Sequence, residues 1–462
     1  MRKVGKGAIG VLAGVLVLGM PAAAQAGQKH CALPGSGPVR TATPSQVDLD
    51  SAKLAKAVRF AAARNRLSVR VYRNNCLVAT SGRDRLTQAV PNQLWSSTKS
   101  VVSLLAGIAV TDGKLDVDAP IDRYLPTGTG WGDAAHRAIT VRDLLTETAG
   151  LKQSILSEAA TVGNDPNVAK QALALPLLHK PGTYFEYTQR VPDLLAFVVQ
   201  RAVGQDLQRY AQKRLFGPIG IAKDDYFWLR DRSGNTYGYA NLFLPSQQFG
   251  RIGLLLENGG TWRGRRLIGR GYMKGLRAPS AQNPCYGYLV WLNKGPCVTP
   301  SIFARRTLKG QILASAPDDL FATVGAFQQN NFVIPSLGVV VTWTGEGGDI
   351  STDPQTVVSA NPHSELYWEF FRRFSRAVQD KRLHDPGPYV DDPANQIKPF
   401  EFIDPAVLFN GIGLGPTAPQ GCNVLACDGD DLSAGPRQVL PDVIAAVLKA
   451  GEETARNLTA GR

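Results

Sequence analysis

The chain has 462 residues, 44% of them hydrophobic, and 51 Lys and Arg against 38 Asp and Glu, a formal net charge of +13. That length allows one large domain or two modest ones. The basic residues form no stripe and no binding motif, which argues against nucleic-acid binding.

In chain order, the start reads as a secretory signal over 1–26. Arg2, Lys3 and Lys6 are followed by an apolar run over 8–20 and by Ala24-Gln25-Ala26, an A-x-A cleavage pattern. Loss of those three cations would lower the charge from +13 to +10. The run is short for a membrane span of about 20 residues. The expectation is an exported protein, periplasmic or secreted, with no stable membrane insertion after cleavage. The six cysteines fit an oxidising compartment. Spacing leaves their connectivity open. Nearest-neighbour pairing gives Cys285–Cys297 and Cys422–Cys427 and leaves Cys31–Cys76. The five histidines are scattered and the cysteines lack zinc spacing, so no metal and no other cofactor is expected.

Residues 27–46 read as a loose N-terminal extension, with the main domain over 47–383. A helix is expected over 51–64, then strands over 67–72 and 76–80 around the turn Arg73-Asn74-Asn75. The helix expected over 96–112 is apolar on every face, through Val101, Val102, Leu104, Leu105, Ile108 and Val110, and so should be buried. Gly113 ends it. Residues 115–245 read as a mainly helical lobe, with helices over 141–146 and 191–203, and another follows over 248–256. Short β-rich runs at 286–292, 320–324, 331–334 and 339–344 suggest an antiparallel sheet, followed by a core helix over 364–380. The fold class is therefore α/β (α+β), an antiparallel sheet flanked by helices with an inserted helical lobe. Residues 384–462, rich in Pro, Gly and Asp until a helix over 440–457, read as a C-terminal extension that wraps the domain and carries no visible chemistry.

Ser96-Ser97-Thr98-Lys99 opens the buried helix. Residues three apart share a helix face, so the Ser96 hydroxyl and the Lys99 amine can meet. A serine needs a nearby base to become a nucleophile, and burial lowers a lysine's pKa. The helix N-terminus favours the negative charge that develops during attack. Pro181-Gly182-Thr183-Tyr184-Phe185-Glu186-Tyr187-Thr188-Gln189 offers the third group. Tyr187, beside an ammonium, is expected to have a lowered pKa and to act as acid or base. The plainer alternatives are an N-capping serine, a snorkelling lysine and a core tyrosine. No G-x-S-x-G elbow occurs, which excludes an α/β-hydrolase.

These motifs resemble the β-lactamase-related serine hydrolases: class C β-lactamases, D-alanyl-D-alanine carboxypeptidases, and their esterase and 6-aminohexanoate-dimer hydrolase relatives. Residues 94–126 are similar to the S-x-x-K helix and the segment after it. Ile139-Thr140-Val141-Arg142-Asp143-Leu144-Leu145-Thr146 resembles the next helix start, 181–189 the P-G-T-x-F-x-Y-x-N block, and Phe216-Gly217-Pro218-Ile219-Gly220-Ile221 the F-x-P-L-G-M turn. Tyr286-Gly287-Tyr288 and Val333-Ile334-Pro335 resemble the closing strands, so the likeness runs in order over about 50–380. It implies a transpeptidase-like fold, with Ser96 as nucleophile, Lys99 as its base partner and Tyr187 as the Y-x-N tyrosine. Gln189 stands at the Asn position as a substrate-positioning residue. The K-T-G or H-x-G triplet is missing, and Lys309-Gly310-Gln311 is a decoy. Gly325-Ala326-Phe327-Gln328-Gln329 instead resembles the G-x-x-G-Q turn of the aminohexanoate-hydrolase branch, with Gln328 for glycine. The backbone N–H groups of Ser96 and Ala326 are the expected oxyanion donors, and Phe327 is expected to position substrate; Trp95 and Tyr286 are further lining candidates. Without a triplet lysine, the expected partner is a small neutral ester or amide, cleaved through an acyl-enzyme on Ser96. The alternative is a non-catalytic binding protein that keeps the fold. Oligomeric state is left open.

Overall fold

The computed structural model describes Met1 and residues 28–159, 161, 164–299, 304–346, 363–390, 396–397 and 403–460. The signal expected over 1–26 lies outside the described residues, apart from Met1. Helix α1 (Ser51–Ala62) is capped by the Asp50 carboxylate, which accepts from the Lys53 N–H at 2.9 Å. It leads into strand β1 (Arg66–Arg73), and β2 (Cys76–Thr80) returns around Asn74 and Asn75. Both asparagines take positive φ, the left-handed conformation that tight hairpin turns need and asparagine tolerates. Short strand β3 (Pro91–Gln93) precedes the central helix α2 (Ser97–Thr111), in which every residue from Ser97 to Ala109 is buried. Gly113 follows it at φ 67°.

The middle of the chain carries α3 (Val141–Leu145), α4 (Ile155–Ala159) and α5 (Arg190–Val203). It is not wholly helical. Strands β4 (Phe227–Trp228) and β5 (Leu242–Pro245) pair with β3 as a small sheet. Helix α6 (Ser246–Glu257) then packs on the main sheet. Only β6 (Trp291–Leu292) forms where a strand over 286–292 was expected. Tyr286 bridges back to Trp291 and Leu289 adopts φ 55°, so the first half of that run is a turn. Strands β7 (Phe321–Gly325), β8 (Gln329–Ile334) and β9 (Val339–Gly345) and helix α7 (Glu365–Ser375) complete this part.

The main sheet is antiparallel with order β2-β1-β9-β8-β7-β6. Val71 pairs with Val341, and Phe332 pairs with the same Val341 from the other side. The opening hairpin is thus completed by β9, the strand farthest from it in sequence within this sheet. Helices α1 and α7 pack together, while α2 runs beside α5 and β7.

The 27–46 segment is pinned rather than loose across its described part, 28–46. Cys31 is bridged to Cys76, Leu77 exchanges backbone hydrogen bonds with Arg40 and Ala42, and Arg251 donates to the Gly35 carbonyl at 2.7 Å. The other bridges are Cys285–Cys297 and Cys422–Cys427, the nearest-neighbour pairing. Near the C-terminus, α8 (Pro405–Gly411) packs on α4, and α9 (Ala434–Thr459) begins earlier than expected and runs on through Pro441.

Candidate active site

Ser96 sits at the mouth of α2, half-buried, and its side chain makes no capping hydrogen bond. Its hydroxyl is therefore not consumed by the helix end, as a capping serine's would be. Trp95, immediately before it, holds φ 48°. A bulky residue rarely adopts that conformation, which costs about 1–2 kcal/mol and persists only where the surroundings impose it. The surroundings here are the end of β7. A Cβ on Gly325 would stand 2.2 Å from the Leu94 carbonyl oxygen and 3.2 Å from the Ser97 nitrogen, so only glycine lets strand and helix mouth approach. Ser97 fastens the junction by donating to the Gln329 carbonyl at 2.7 Å.

Lys99 is 1% exposed. Its ammonium donates to Ser96 Oγ at 3.3 Å and to Gln189 Oε1 at 2.6 Å, and lies 4.5 Å from the centre of the Tyr187 ring. Burial lowers its pKa to about 8, against the opposing pull of Glu147, Asp193 and Glu158. The ammonium still predominates at neutral pH, and the neutral amine becomes accessible as pH rises toward 8. Tyr187 is buried against Tyr286 and Trp291, with its hydroxyl near enough to Ser96 to feel that side chain. The expectation of a lowered phenol pKa is overturned. Burial raises it well above the ordinary value, and the nearby Ser96 only partly offsets this. The cation over the ring face does not outweigh desolvation. Tyr187 is therefore a neutral phenol at this site.

Gln189 points inward, 5% exposed, with its amide oxygen on Lys99. Ala326 and Phe327 lie just past β7, with Phe327 at φ 53° and Gln328 at φ 63°. The Phe327 ring lies 5.2 Å from Trp95. Buried Arg66 donates to the carbonyls of Phe327 at 3.0 Å and Gln328 at 2.9 Å, fixing the turn. Lys309 follows strand Ala304–Leu308, which pairs with Cys297–Thr299 outside the main sheet. It therefore supplies no charge on β7.

A group of buried charges escaped the sequence reading. Gln189 N–H donates to Glu158 Oε2 at 2.7 Å, and Thr188 donates to Glu147 Oε2 from its N–H at 3.2 Å and its hydroxyl at 2.8 Å. Arg190 pairs with Asp165 at 2.5 Å and Asp193 at 2.8 Å. Glu147, Glu158 and Asp165 lie far along the chain from the segment they hold, and their neighbours in sequence look like those of a surface helix or turn. No local signal marks them.

Comparison with known proteins bears on this geometry. Residues 53–247 match the beta-lactamase family model. Over that stretch the chain is similar to beta-lactamase-family proteins. The chain is 31% identical over 180 residues to monacolin J acid methylbutanoyltransferase of Aspergillus terreus, covering 33% of this chain and 43% of that protein. It is 32% identical over 145 residues to esterase EstB of Burkholderia gladioli, covering 28% and 36%. The chain thus spans less than half the length of either relative. Among solved structures, a candidate beta-lactamase from Bacteroides dorei DSM 17855 superposes with TM-score 0.55 at 15% identity, over 71% of this chain and 99% of that one. A candidate 6-aminohexanoate-dimer hydrolase from Bacillus anthracis gives 0.53 at 13% identity, over 75% and 88%. These likenesses establish the beta-lactamase-type fold around the Ser96 site.

Proposed function

We propose that this protein is an exported serine hydrolase of the beta-lactamase family that cleaves a neutral ester or amide through an acyl-enzyme on Ser96. The observation that carries the reading is the Lys99 ammonium held between Ser96 Oγ and Gln189 Oε1. In its neutral form, Lys99 takes the Ser96 proton as Oγ bonds to the substrate carbonyl carbon. The electrons of the carbonyl move onto its oxygen, which the N–H groups of Ser96 and Ala326 would receive. The carbon–leaving-group bond then breaks. Tyr187 gives its proton to the leaving atom and regains one from Lys99. Water attacks the ester in the second half, loses its proton by the same route, and Ser96 leaves with a proton restored.

The relatives fit this chemistry, because an esterase and a methylbutanoyltransferase both act at acyl groups. A neutral substrate is favoured because β7 presents no lysine and Arg66 spends its guanidinium on the Phe327 and Gln328 carbonyls. Gln189 and Phe327 are the proposed substrate-positioning side chains. Export is supported by the three disulfides among the described residues, and no helix there is long and apolar enough to cross a membrane. The test is covalent labelling of the purified protein by a fluorophosphonate probe. Wild type should be labelled and Ser96→Ala should not. Equal labelling of both would reject the assignment, and no acyl-enzyme burst on any activated ester would favour the non-catalytic binding protein.

A further inference from the structure

We propose that Glu147 and Glu158 are positioning residues for this chemistry: they clamp the Tyr187–Arg190 segment onto Lys99 and exchange protons in linkage with it. The inference rests on the reading of Lys99 as the base.

The geometry comes first. Glu147 follows α3 and Glu158 lies on α4, so two separate elements reach the same short segment. Glu147 Oε2 holds the Thr188 N–H and hydroxyl, and Glu158 Oε2 holds the Gln189 N–H. Tyr187, whose ring lies under the Lys99 ammonium, and Gln189, which bonds Lys99, are the residues on either side of Thr188. Their side chains are aimed by backbone that these carboxylates fix. In each acid the second oxygen, Oε1, is buried without a hydrogen-bond partner. A carboxylate oxygen left so is costly, whereas a carboxyl proton there removes the charge.

The charges explain the linkage. Lys99 faces Gln189 and the rings of Tyr187 and Tyr239, and feels the charges of Glu147, Glu158 and Asp193. Glu147 faces Lys99, Glu158, Tyr187 and Tyr286. Glu158 faces Arg190, Lys99, Asp193 and Glu147. Arg190 is already paired with Asp165 and Asp193, and Lys99 is the cation opposite Glu147. Two cations, Lys99 and Arg190, thus stand among four buried acids, so full ionisation would leave uncompensated negative charge. Burial pushes Glu147 up to about 8 and Glu158 up to about 7, the range in which Lys99 loses its proton. Groups that interact this strongly titrate as a unit. An ionised glutamate favours the ammonium, and a neutral amine favours a protonated glutamate.

The experiment is the rate of fluorophosphonate labelling against pH for the wild-type protein, Glu147→Gln and Glu158→Gln, with folding checked by thermal melting. Glutamine keeps an oxygen for Thr188 or Gln189 but carries no charge. Removing a carboxylate that stabilises the ammonium should move the half-maximal pH downward by about 0.5–1 unit and make the rise less steep. A purely structural role would lower the plateau and leave the half-maximal pH where it is, and that result in both variants overturns the proposal. If a variant does not fold, the infrared C=O band of protonated carboxyls in the wild-type protein is followed instead. A band that titrates in step with labelling supports the linkage; a band fully lost at pH values well below the rise in rate overturns it. No labelling of wild type at any pH would overturn the base assignment itself, and this inference with it.

Discussion

At the scale of single residues, the site is a contest between desolvation and a few short polar contacts. Lys99 keeps its place because Gln189 accepts from it at 2.6 Å. Hydrogen bonds to a buried charge contribute about 1.5–3 kcal/mol. Gln189→Ala should therefore lower kcat/KM on an activated ester by about ten- to a hundredfold, as the lysine loses its orientation toward Ser96. An unchanged kcat/KM would mean that Ser96 Oγ alone places the amine. Three of the central residues were legible in the sequence. Ser96 and Lys99 share a helix face by spacing, and Tyr187 follows a Pro-Gly turn at the head of the next apolar helix. The phenol's protonation was misread, because spacing shows a neighbouring cation but not the depth of burial. Glu147 and Glu158 were invisible for a related reason. Their partners lie tens of residues away, and a buried acid has the same letters around it as a solvated one.

At the scale of elements, the C-terminal segment acts through α4. Asp404 pairs with Lys152 at 2.6 Å, its N–H donates to Ser154 Oγ at 3.0 Å, and its carbonyl accepts from Ser157 at 3.2 Å. Helix α4 in turn carries Glu158, which holds Gln189. Asp404 also caps α8, accepting from the Ala406 N–H at 2.8 Å. Asp404→Ala should cost about 1–2 kcal/mol of stability and should also slow fluorophosphonate labelling. A variant that melts earlier but is labelled at the wild-type rate would uncouple the extension from the site. The sequence marked α2 well, because a helix apolar all round has nowhere to go but the interior, and it marked the β1–β2 hairpin through its asparagine turn. It overextended β6, since the aromatic residues of 286–289 serve a turn's packing rather than a strand's. It gave no chemistry to 384–462, because a Pro- and Gly-rich segment shows its worth only in tertiary contacts.

At the scale of the whole molecule, the buried acids make stability depend on pH in an uncommon sense. Burial pushes Glu147 up to about 8, Glu158 and Asp231 up to about 7, and Asp193 up to about 6. A carboxyl whose pKa is raised by folding adds stability that is fully present below its unfolded value, about 4.5 for Glu, and that is lost as pH rises through the folded value. Lys99, lowered from 10.5 to about 8, acts in a higher window, costing stability as pH falls from 10.5 toward 8. Between about pH 5 and 8 the acids dominate, and the melting midpoint should fall by a few degrees. A midpoint that climbs over this interval would show the four acids to be ionised and paired. The sheet carries a last consequence, for biogenesis. Arg66–Arg73 lies inside the sheet, yet its inner neighbour is Val339–Gly345. A nascent chain that has already emitted its first hairpin must wait for most of its remaining length before that valine-bearing edge is covered. Until then it presents an open template for mispairing, an exposure that ends only once Gly345 of the 462 residues has been made.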